Sequence, residues 1–210
     1  MKHLLTVVGM VALLLTGVPK AMATEEAPYT VLKSDGIFEL RHYEAQILVE
    51  IAVDGDLEDA GRKAFRPLFD YISGKNHSRS KIPMTAPVAQ GATGEKIAMT
   101  APVSQEPRQG KWAVSFVMPA SYTMETIPVP DNPELKLRWV PARKVAAVRY
   151  SGFWSEKRYL AHRNLLEGWL RENNLSAVGE PVWARYNPPF TLWFLRRNEI
   201  LIPVNVDSNT

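Results

Sequence analysis

Cysteine is absent from all 210 residues of the chain. This absence excludes disulfide bonds, thiolate metal sites and cysteine nucleophiles. The sequence also lacks the Gly-x-Ser-x-Gly elbow, the His-Glu-x-x-His zinc motif, the phosphate-binding loop and the dinucleotide fingerprint. No motif therefore indicates an enzyme, and we predict a protein that acts by binding, without turnover.

A strong net charge is lacking as well. The chain has 25 basic and 22 acidic residues, and removal of residues 1–23 would take away Lys2 and Lys20 and leave a net charge of +1. A near-neutral chain without a basic block argues against nucleic acid as a partner. Hydrophobic residues make up 46% of the sequence, which is enough for a substantial core.

Long apolar runs are confined to the N-terminus. Lys2 precedes an apolar run over residues 4–15, and Ala21-Met22-Ala23 forms a small-x-small cleavage site before Thr24. This pattern is typical of a secretory signal peptide, and the run is shorter than the ~20 residues that span a bilayer. We predict a signal peptide at residues 1–23 and a periplasmic or secreted protein without stable membrane insertion after cleavage. A retained anchor is the alternative.

Alternating apolar residues predict strands, and apolar residues three or four apart predict two helices. The first helix follows a cap at Asp56 and stops at Gly74, and the second follows a cap at Ser155. Pro67 lies inside the first helix and should either kink or break it. The predicted strands include residues 37–43, 46–53, 112–118, 144–150, 181–186, 191–195 and 200–204.

The two halves of the chain repeat each other weakly. A shift of 98 positions places Ile47 on Val145 and Leu68 on Leu166. A strand-strand-helix-strand unit therefore occurs twice, in pseudo-repeat halves at about residues 29–125 and 134–204. We predict one α+β domain over residues 24–210, a distorted antiparallel β-barrel flanked by two helices.

One phrase occurs twice, as Met84-Thr85-Ala86-Pro87-Val88 and Met99-Thr100-Ala101-Pro102-Val103. Both copies favour short extended segments that a proline interrupts. Four further segments accompany the phrase: Phe-Glu-Leu-Arg-His-Tyr (38–43), Phe-Arg-Pro-Leu-Phe-Asp-Tyr-Ile-Ser-Gly-Lys-Asn (65–76), Arg-Tyr-Ser-Gly-Phe (149–153) and Tyr-Asn-Pro-Pro-Phe (186–190). With these segments the chain resembles the SOUL family of haem-binding proteins over about residues 29–204.

The resemblance implies binding of haem or another tetrapyrrole, for carriage or buffering. It also implies the duplicated barrel that SOUL proteins share with GyrI-like effector-binding domains. His42 lies in the family's Arg-His-Tyr segment, where haem ligation has been suggested for some members, and it continues the apolar face of Phe38 and Leu40. His42 is therefore the candidate iron ligand, with a hydrogen-bonded core or rim histidine as the alternative.

Other candidate ligand-binding residues follow from the chemistry of haem. Arg62 and Arg66 lie off the apolar stripe of the first helix and could pair with propionates, although a solvated helix face is the plainer reading. Met84 and Met99 could offer thioether sulfur or simply pack. The aromatic group could stack on a flat ligand or belong to the core, and it comprises Trp183, Tyr186, Phe190 and Trp193.

Two other functions remain open. The first is a GyrI-like pocket protein that binds or hydrolyses another flat or cationic amphiphile, with Glu167, Glu172 or Glu180 in its pocket. A buried, unpaired glutamate with no histidine nearby would favour it. The second is a protein-interaction module without a small ligand, and a barrel filled by its own side chains would favour that one.

Overall fold

The computed structural model describes residues 24–79 and 94–206. These residues form two α-helices, α1 (Leu57–Ile72) and α2 (Glu156–Glu172), and fourteen strands. The strands are β1 (Glu25–Glu26), β2 (Tyr29–Asp35), β3 (Phe38–Tyr43), β4 (Gln46–Val53), β5 (Asn76–His77), β6 (Thr100–Ala101), β7 (Val103–Arg108), β8 (Lys111–Val117), β9 (Val129–Pro130), β10 (Lys136–Val140), β11 (Arg143–Tyr150), β12 (Leu175–Ala177), β13 (Val182–Arg185) and β14 (Asn198–Val206).

Helix α1 has the predicted ends. The Asp56 side chain accepts a hydrogen bond of 2.7 Å from the Asp59 amide and so caps the first turn. Gly74 follows the last turn with φ +113°, a conformation that favours glycine. Pro67 does not break the helix, which runs through it as one element.

Helix α2 also begins at its predicted cap. The Ser155 hydroxyl accepts from the Arg158 amide, and Asn173 caps the C-terminus. The apolar side chains of Tyr159, Leu166 and Trp169, spaced three or four apart or in multiples of such steps, are buried because they face the sheet.

The main sheet has ten strands. Nine lie in the order β10-β4-β8-β7-β13-β14-β11-β3-β2 with antiparallel pairing, and β12 pairs with β14 outside this path. The α+β class with two helices against a large antiparallel sheet is confirmed. A cavity on the face away from the helices is lined by residues of β4 and β10 together with residues of β3 and β11, so the sheet curls until its distant strands approach each other. The result is a distorted, barrel-like sheet.

Both helices lie on one face of this sheet. Helix α1 packs against β4 and β8 through the alternating side chains of Val49 and Phe116, and α2 packs against β11 and β14 through those of Val148 and Ile200. The opposite, inner face carries a third core that includes Leu48, Val117, Val145 and Leu201. The alternating strands are thus buried on both faces, whereas their pattern predicts burial on one.

A buried ion pair on the inner face joins the beginning of the chain to its end. Arg41 of β3 is 2% exposed and donates to Glu199 of β14 from Nη1 (2.7 Å) and Nη2 (3.0 Å). Glu199 also accepts from Arg197 Nε at 3.0 Å and from the Tyr186 hydroxyl at 2.8 Å. Burial alone would raise the pKa of Glu199, but these partners hold it below its ordinary value.

Two local predictions can be compared with the structure. In the second copy of the doubled phrase, Pro102 separates β6 from β7, as expected. The predicted strand over residues 191–195 is wrong, because Trp193–Leu195 forms a short 3₁₀ helix in an exposed loop. The first copy, with Met84, and the predicted signal peptide lie outside the described residues.

Within the described residues, neither helix is long and apolar enough to cross a membrane.

We expect Glu199→Gln to lower the free energy of unfolding by about 3–5 kcal/mol at pH 7, because it leaves the buried Arg41 without a countercharge. The folded pKa of Glu199 is depressed, so its contribution to stability is complete above the ordinary carboxyl pKa of about 4.3 and is lost as pH falls through the folded pKa. Urea unfolding at pH 7, 5 and 3 should therefore show the deficit shrinking at the lowest pH.

Glu39→Gln is the matched control. Glu39 accepts from the same arginine at 2.7 Å but is 30% exposed, so we expect a loss below about 1 kcal/mol. Equal losses in the two variants would show that burial does not set the strength of this network.

Candidate functional site

The two helices pack on different strands of the sheet, and their N-terminal ends meet where the Glu156 amide donates to Glu58. Helix α1 packs on β4 and β8 and α2 packs on β11, β12 and β14, while β7 and β13 lie between these strands in the sheet. The register shows that all these strands present one face to the helices, because Gln105 of β7 pairs with Val114 of β8 and with Trp183 of β13. We call the space over β7 and β13 the interhelical cleft.

One flank of α1 forms an apolar wall of this cleft. Gly61, Phe65 and Phe69 follow each other at four-residue spacing, so they share one flank. Gly61 marks that flank as the one facing β13, because a Cβ built on it would lie 2.3 Å from Nη2 of Arg185. Phe65 and Phe69 are 40% and 42% exposed, and their rings stack with centroids 5.7 Å apart. Two stacked, exposed rings beside a cleft provide a surface for a flat apolar ligand.

The floor of the cleft contains polar atoms that lack partners. Within the described residues, four buried side-chain atoms lack a hydrogen bond of normal geometry, namely Gln105 Oε1, Tyr150 Oη, Trp183 Nε1 and Arg185 Nε. The Trp183 indole nevertheless lies close enough to the Tyr150 hydroxyl to lower its pKa, against the larger effect of burial. Buried polar groups are nearly always hydrogen-bonded, so a group of four without partners calls for an explanation. We call these four residues the orphan cluster.

The strand register brings the orphan cluster together. Trp183 pairs directly with Gln105, and Arg185 pairs with Asn198, which in turn pairs with Tyr150 on the next strand. The Cβ position of Gly61 lies within 2.9 Å of both Gln105 Oε1 and the Arg185 guanidinium. The four residues therefore converge although 80 positions separate the first from the last.

Arg185 is the charged member of the cluster. Its guanidinium lies 5.0 Å from the ring centroid of Trp183 and 5.1 Å from that of Trp154. Burial lowers the pKa of Arg185 to about 10, and Tyr150 opposes this shift only in part. Burial also raises the pKa of the Tyr150 hydroxyl. The site thus holds a desolvated cation beside a neutral phenol.

An exposed aromatic loop, residues 188–195, borders the cluster. Trp154 lies between Arg185 and Arg196, whose guanidinium is 4.5 Å from its ring centroid. Arg196 in turn donates to the carbonyl oxygens of Pro189 and Thr191 and so shapes the loop. The loop exposes several large apolar side chains: Phe190, Leu192, Trp193, Phe194 and Leu195.

The aromatic residues singled out in the sequence do not form one pocket. Trp183 is completely buried on the helix-bearing face, and Tyr186 lies on the inner face beside Glu199. Phe190 is 86% exposed at the aromatic loop, and Trp193 of the same loop stacks on Phe153. Only Trp183 belongs to the orphan cluster.

The charged and sulfur-bearing candidates are also dispersed. Arg62 and Arg66 are 78% and 80% exposed on α1, where they pair with Asp59 and Asp70 within the helix. Met99 is partly exposed just before β6. A binding role for these residues stays a prediction.

His42 lies far from the orphan cluster. It is half-buried on β3 and pairs with Lys144, six residues before Tyr150 on β11. At about 3.3 Å per residue, this separation is roughly 20 Å along the strands. Its role as an iron ligand also stays a prediction, and the structure does not bring it into the interhelical cleft.

Two other histidines are described. His162 of α2 stacks on Tyr150 with ring centroids 3.8 Å apart, and its Nδ1 lies 2.7 Å from the Arg158 carbonyl oxygen. Because a carbonyl oxygen only accepts, Nδ1 carries a proton and donates it to this bond. His77 pairs with Asp131 at the surface. Among the described residues, no group of three or more His, Cys, Asp or Glu side chains could hold a metal ion.

Two cavities elsewhere lie at or below the lower end of the volumes typical of ligand pockets, about 300–1,000 Å³. One, of about 290 Å³, is lined in part by Glu25, Glu26 and Glu125, which does not suit an anionic ligand. The other, of about 210 Å³, lies on the inner face near Arg143 and Glu180. Glu180 is the only one of the three suggested pocket glutamates that lines either cavity.

Sequence reasoning missed the residues that matter most in this cleft. Arg185 stands directly before the Tyr-Asn-Pro-Pro-Phe segment, and Tyr150 lies inside the Arg-Tyr-Ser-Gly-Phe segment, so both were close to recognised motifs. Gln105 had no such signal. What distinguishes them is the lack of hydrogen-bond partners, which only a folded structure can show.

A family model and two curated relatives that match this chain all carry a name that refers to heme binding. A family model described as SOUL heme-binding protein matches residues 24–203. Heme-binding protein 2 of Mus musculus is 27% identical over 192 residues, covering 85% of this chain and 87% of that protein. The Homo sapiens protein of the same name is 27% identical over 189 residues, covering 83% and 85%.

Solved structures share the fold at low identity. The EcmrR C-terminal domain has a TM-score of 0.52 and 14% identity, covering 84% of this chain and 98% of that one. A hydrolase from Listeria innocua has a TM-score of 0.53 and 13% identity, covering 83% and 94%. At this identity the likeness establishes the fold alone.

We expect Gly61→Ala to destabilise the protein by about 1–3 kcal/mol, because the new methyl group would overlap the Arg185 guanidinium, which two tryptophans hold in place. Gly168→Ala on α2 is the control. Its Cβ would meet nothing closer than Arg171 Nη2 at 3.8 Å, so the helix should gain about 0.5–1 kcal/mol. Urea unfolding checks both values, and equal stabilisation of the two variants would contradict the tight packing at Gly61.

Proposed function

The chain belongs to the SOUL heme-binding family, and we propose that it is an exported protein that binds haem or a related tetrapyrrole for carriage or buffering, without turnover. The residues of the interhelical cleft carry this proposal. They combine an exposed aromatic wall with a desolvated cation, and haem combines a flat apolar ring with two carboxylates.

The residues present fit such a ligand. The stacked rings of Phe65 and Phe69 would contact the macrocycle, and the orphaned donors around Arg185 would meet its polar edge. Ligand binding at the iron and redox chemistry would be supplied by a bound haem. The chain itself binds, orients and shields the group.

Cation binding, as in the GyrI-like alternative, receives less support. The one glutamate that is completely buried in the described residues is Glu199, and it is paired with Arg41 and Arg197. The criterion of a buried, unpaired glutamate is therefore not met. In the interhelical cleft the unpaired charge is positive, which favours an anionic ligand over a cationic one.

A module without a small ligand also receives less support. Side chains fill the inner face down to a cavity of about 210 Å³, as that hypothesis requires. The interhelical cleft, however, keeps four buried polar atoms without partners. Structural packing alone does not account for these atoms, because a buried polar atom without a partner destabilises the fold.

Export rests on the N-terminal pattern of residues 1–23. We propose a periplasmic or secreted location, with haem as the partner and without nucleic acid or stable membrane insertion. Mass spectrometry of the protein recovered after expression in a bacterial host, fractionated into periplasm and cytoplasm, tests this. A chain that keeps residue 1 and stays in the cytoplasm would contradict it.

Haemin titration of residues 24–210, followed at the Soret band, tests ligand binding. We expect saturation at an equimolar ratio with a shifted, sharpened band. His42→Ala should leave the titration unchanged, because His42 lies roughly 20 Å along the strands from the cleft. His162→Ala, beside Tyr150, should alter the band if the imidazole reaches the iron.

Two outcomes of these titrations would contradict the proposal or the location of the ligand. No saturation by the unchanged protein would sink the haem assignment. A band weakened by His42→Ala would restore His42 as the iron ligand and place the haem outside the interhelical cleft.

Phe69→Ala tests the aromatic wall. Loss of one stacked ring should weaken haemin binding roughly tenfold, because a buried phenylalanine contributes about 1.5–3 kcal/mol. Leu165→Ala, which removes an exposed apolar side chain from α2, should leave the affinity unchanged. Equal effects of the two substitutions would show that the ligand does not lie along this flank of α1.

A further inference from the structure

Arg185 is a desolvated cation without a countercharge. Nε of its guanidinium is buried and makes no hydrogen bond to another described residue. The contrast with Arg41 is direct, because that arginine, which is 2% exposed, holds a carboxylate with two hydrogen bonds, whereas Arg185 is only partly shielded from water and has no such partner. A protein keeps an unpaired buried charge only where the surrounding packing and a partner stabilise it.

The neighbours of Arg185 present donors. Nε of Arg185, Nε1 of Trp183 and the hydroxyl of Tyr150 can all donate, and a carboxylate only accepts. Gln105 supplies an acceptor, since its amide nitrogen already donates to the Leu57 carbonyl oxygen at 2.9 Å, and the Tyr150 hydroxyl oxygen can accept as well. The Gln105 acceptor lies on the side of the guanidinium that faces Gly61, so the other donors remain available to a ligand.

Rigid packing holds the guanidinium in position. Trp154 and Trp183 each lie about 5 Å from it, and the bare backbone of Gly61 lets it approach α1 more closely than any other residue would allow. Such a preorganised donor group loses little freedom on binding an anion.

From this arrangement we propose that Arg185, with Trp183 and Tyr150, forms a carboxylate-binding site in the floor of the interhelical cleft. If the ligand is a tetrapyrrole, as proposed above, the site receives one of its propionates. The aromatic wall then lies at a suitable distance, since Gly61 and Phe69 are about 12 Å apart along α1.

This site makes a prediction about iron. His42 lies about 20 Å from this site along the strands, so a haem with a propionate at Arg185 would not use His42 as its iron ligand. One haem molecule therefore cannot use both residues. In this proposal the polar edge of the ligand lies at β13, in the second half of the chain.

Haemin and haemin dimethyl ester distinguish the carboxylate from the ring. For residues 24–210, Arg185→Gln should weaken binding of haemin about tenfold or more and leave binding of the ester unchanged, because hydrogen bonds to a charged group are the stronger ones. Arg143→Gln is the matched control. Burial lowers the pKa of Arg143 too, but it lies near the inner-face cavity, so its removal should not affect haemin. Equal haemin affinity in Arg185→Gln and the unchanged protein would overturn the proposal.

A test without haem separates this proposal from the function proposed above. Hexanoate should raise the melting temperature of the unchanged protein and alter its tryptophan fluorescence, whereas hexanamide should do neither. Arg185→Gln should lose the response, and Arg185→Met provides a second variant in case the first fails to fold. If haemin does not bind but hexanoate acts through Arg185, the carboxylate site stands and the tetrapyrrole does not. If hexanoate has no effect on the unchanged protein, the carboxylate site falls.

Discussion

The ion pair between Arg41 and Glu199 connects the two ends of the folded chain. It joins β3 to β14 across β11, so the first strands of one half are held against the last strand of the other. Its two charges are almost completely shielded from water, and Arg197 and Tyr186 satisfy the remaining oxygen positions of Glu199. Burial of charge on this scale is tolerated only when every partner is in place, which makes the inner face specific as well as stable.

The two faces of the sheet surround an arginine side chain with different kinds of partner. On the inner face, Arg41 has a carboxylate of the chain itself. On the helix-bearing face, Arg185 has tryptophan rings, a phenol and an amide, and no carboxylate among the described residues. The first arrangement pairs the charge within the chain, and the second leaves Nε of Arg185 without a hydrogen bond. The curled sheet separates the two arginines, so each can keep its own electrostatic environment.

Much of the fold was accessible from sequence, and less of the site was. The caps at Asp56 and Ser155, the stripe of α2 and the α+β class follow from local patterns, and the structure confirms them. The 191–195 segment was misread because its apolar residues suggested a strand, whereas they are exposed around a short 3₁₀ helix. The inner face was missed for a related reason: alternation predicts one buried face, and the curl of the sheet buries both.

The amino-acid sequence by itself determined the family, the two helices and several strands of the main sheet, because doubled motifs, capping residues and apolar periodicity are local properties of the chain. Only the tertiary structure decided which polar residues have partners. Strand pairing alone makes neighbours of the four residues of the orphan cluster. Their polar atoms would be hydrogen-bonded to water in the unfolded chain and lose those partners only when folding buries them. Whether an arginine is a solvated charge or a binding group depends on its desolvation and on the nearest carboxylate, and neither is encoded at a single position.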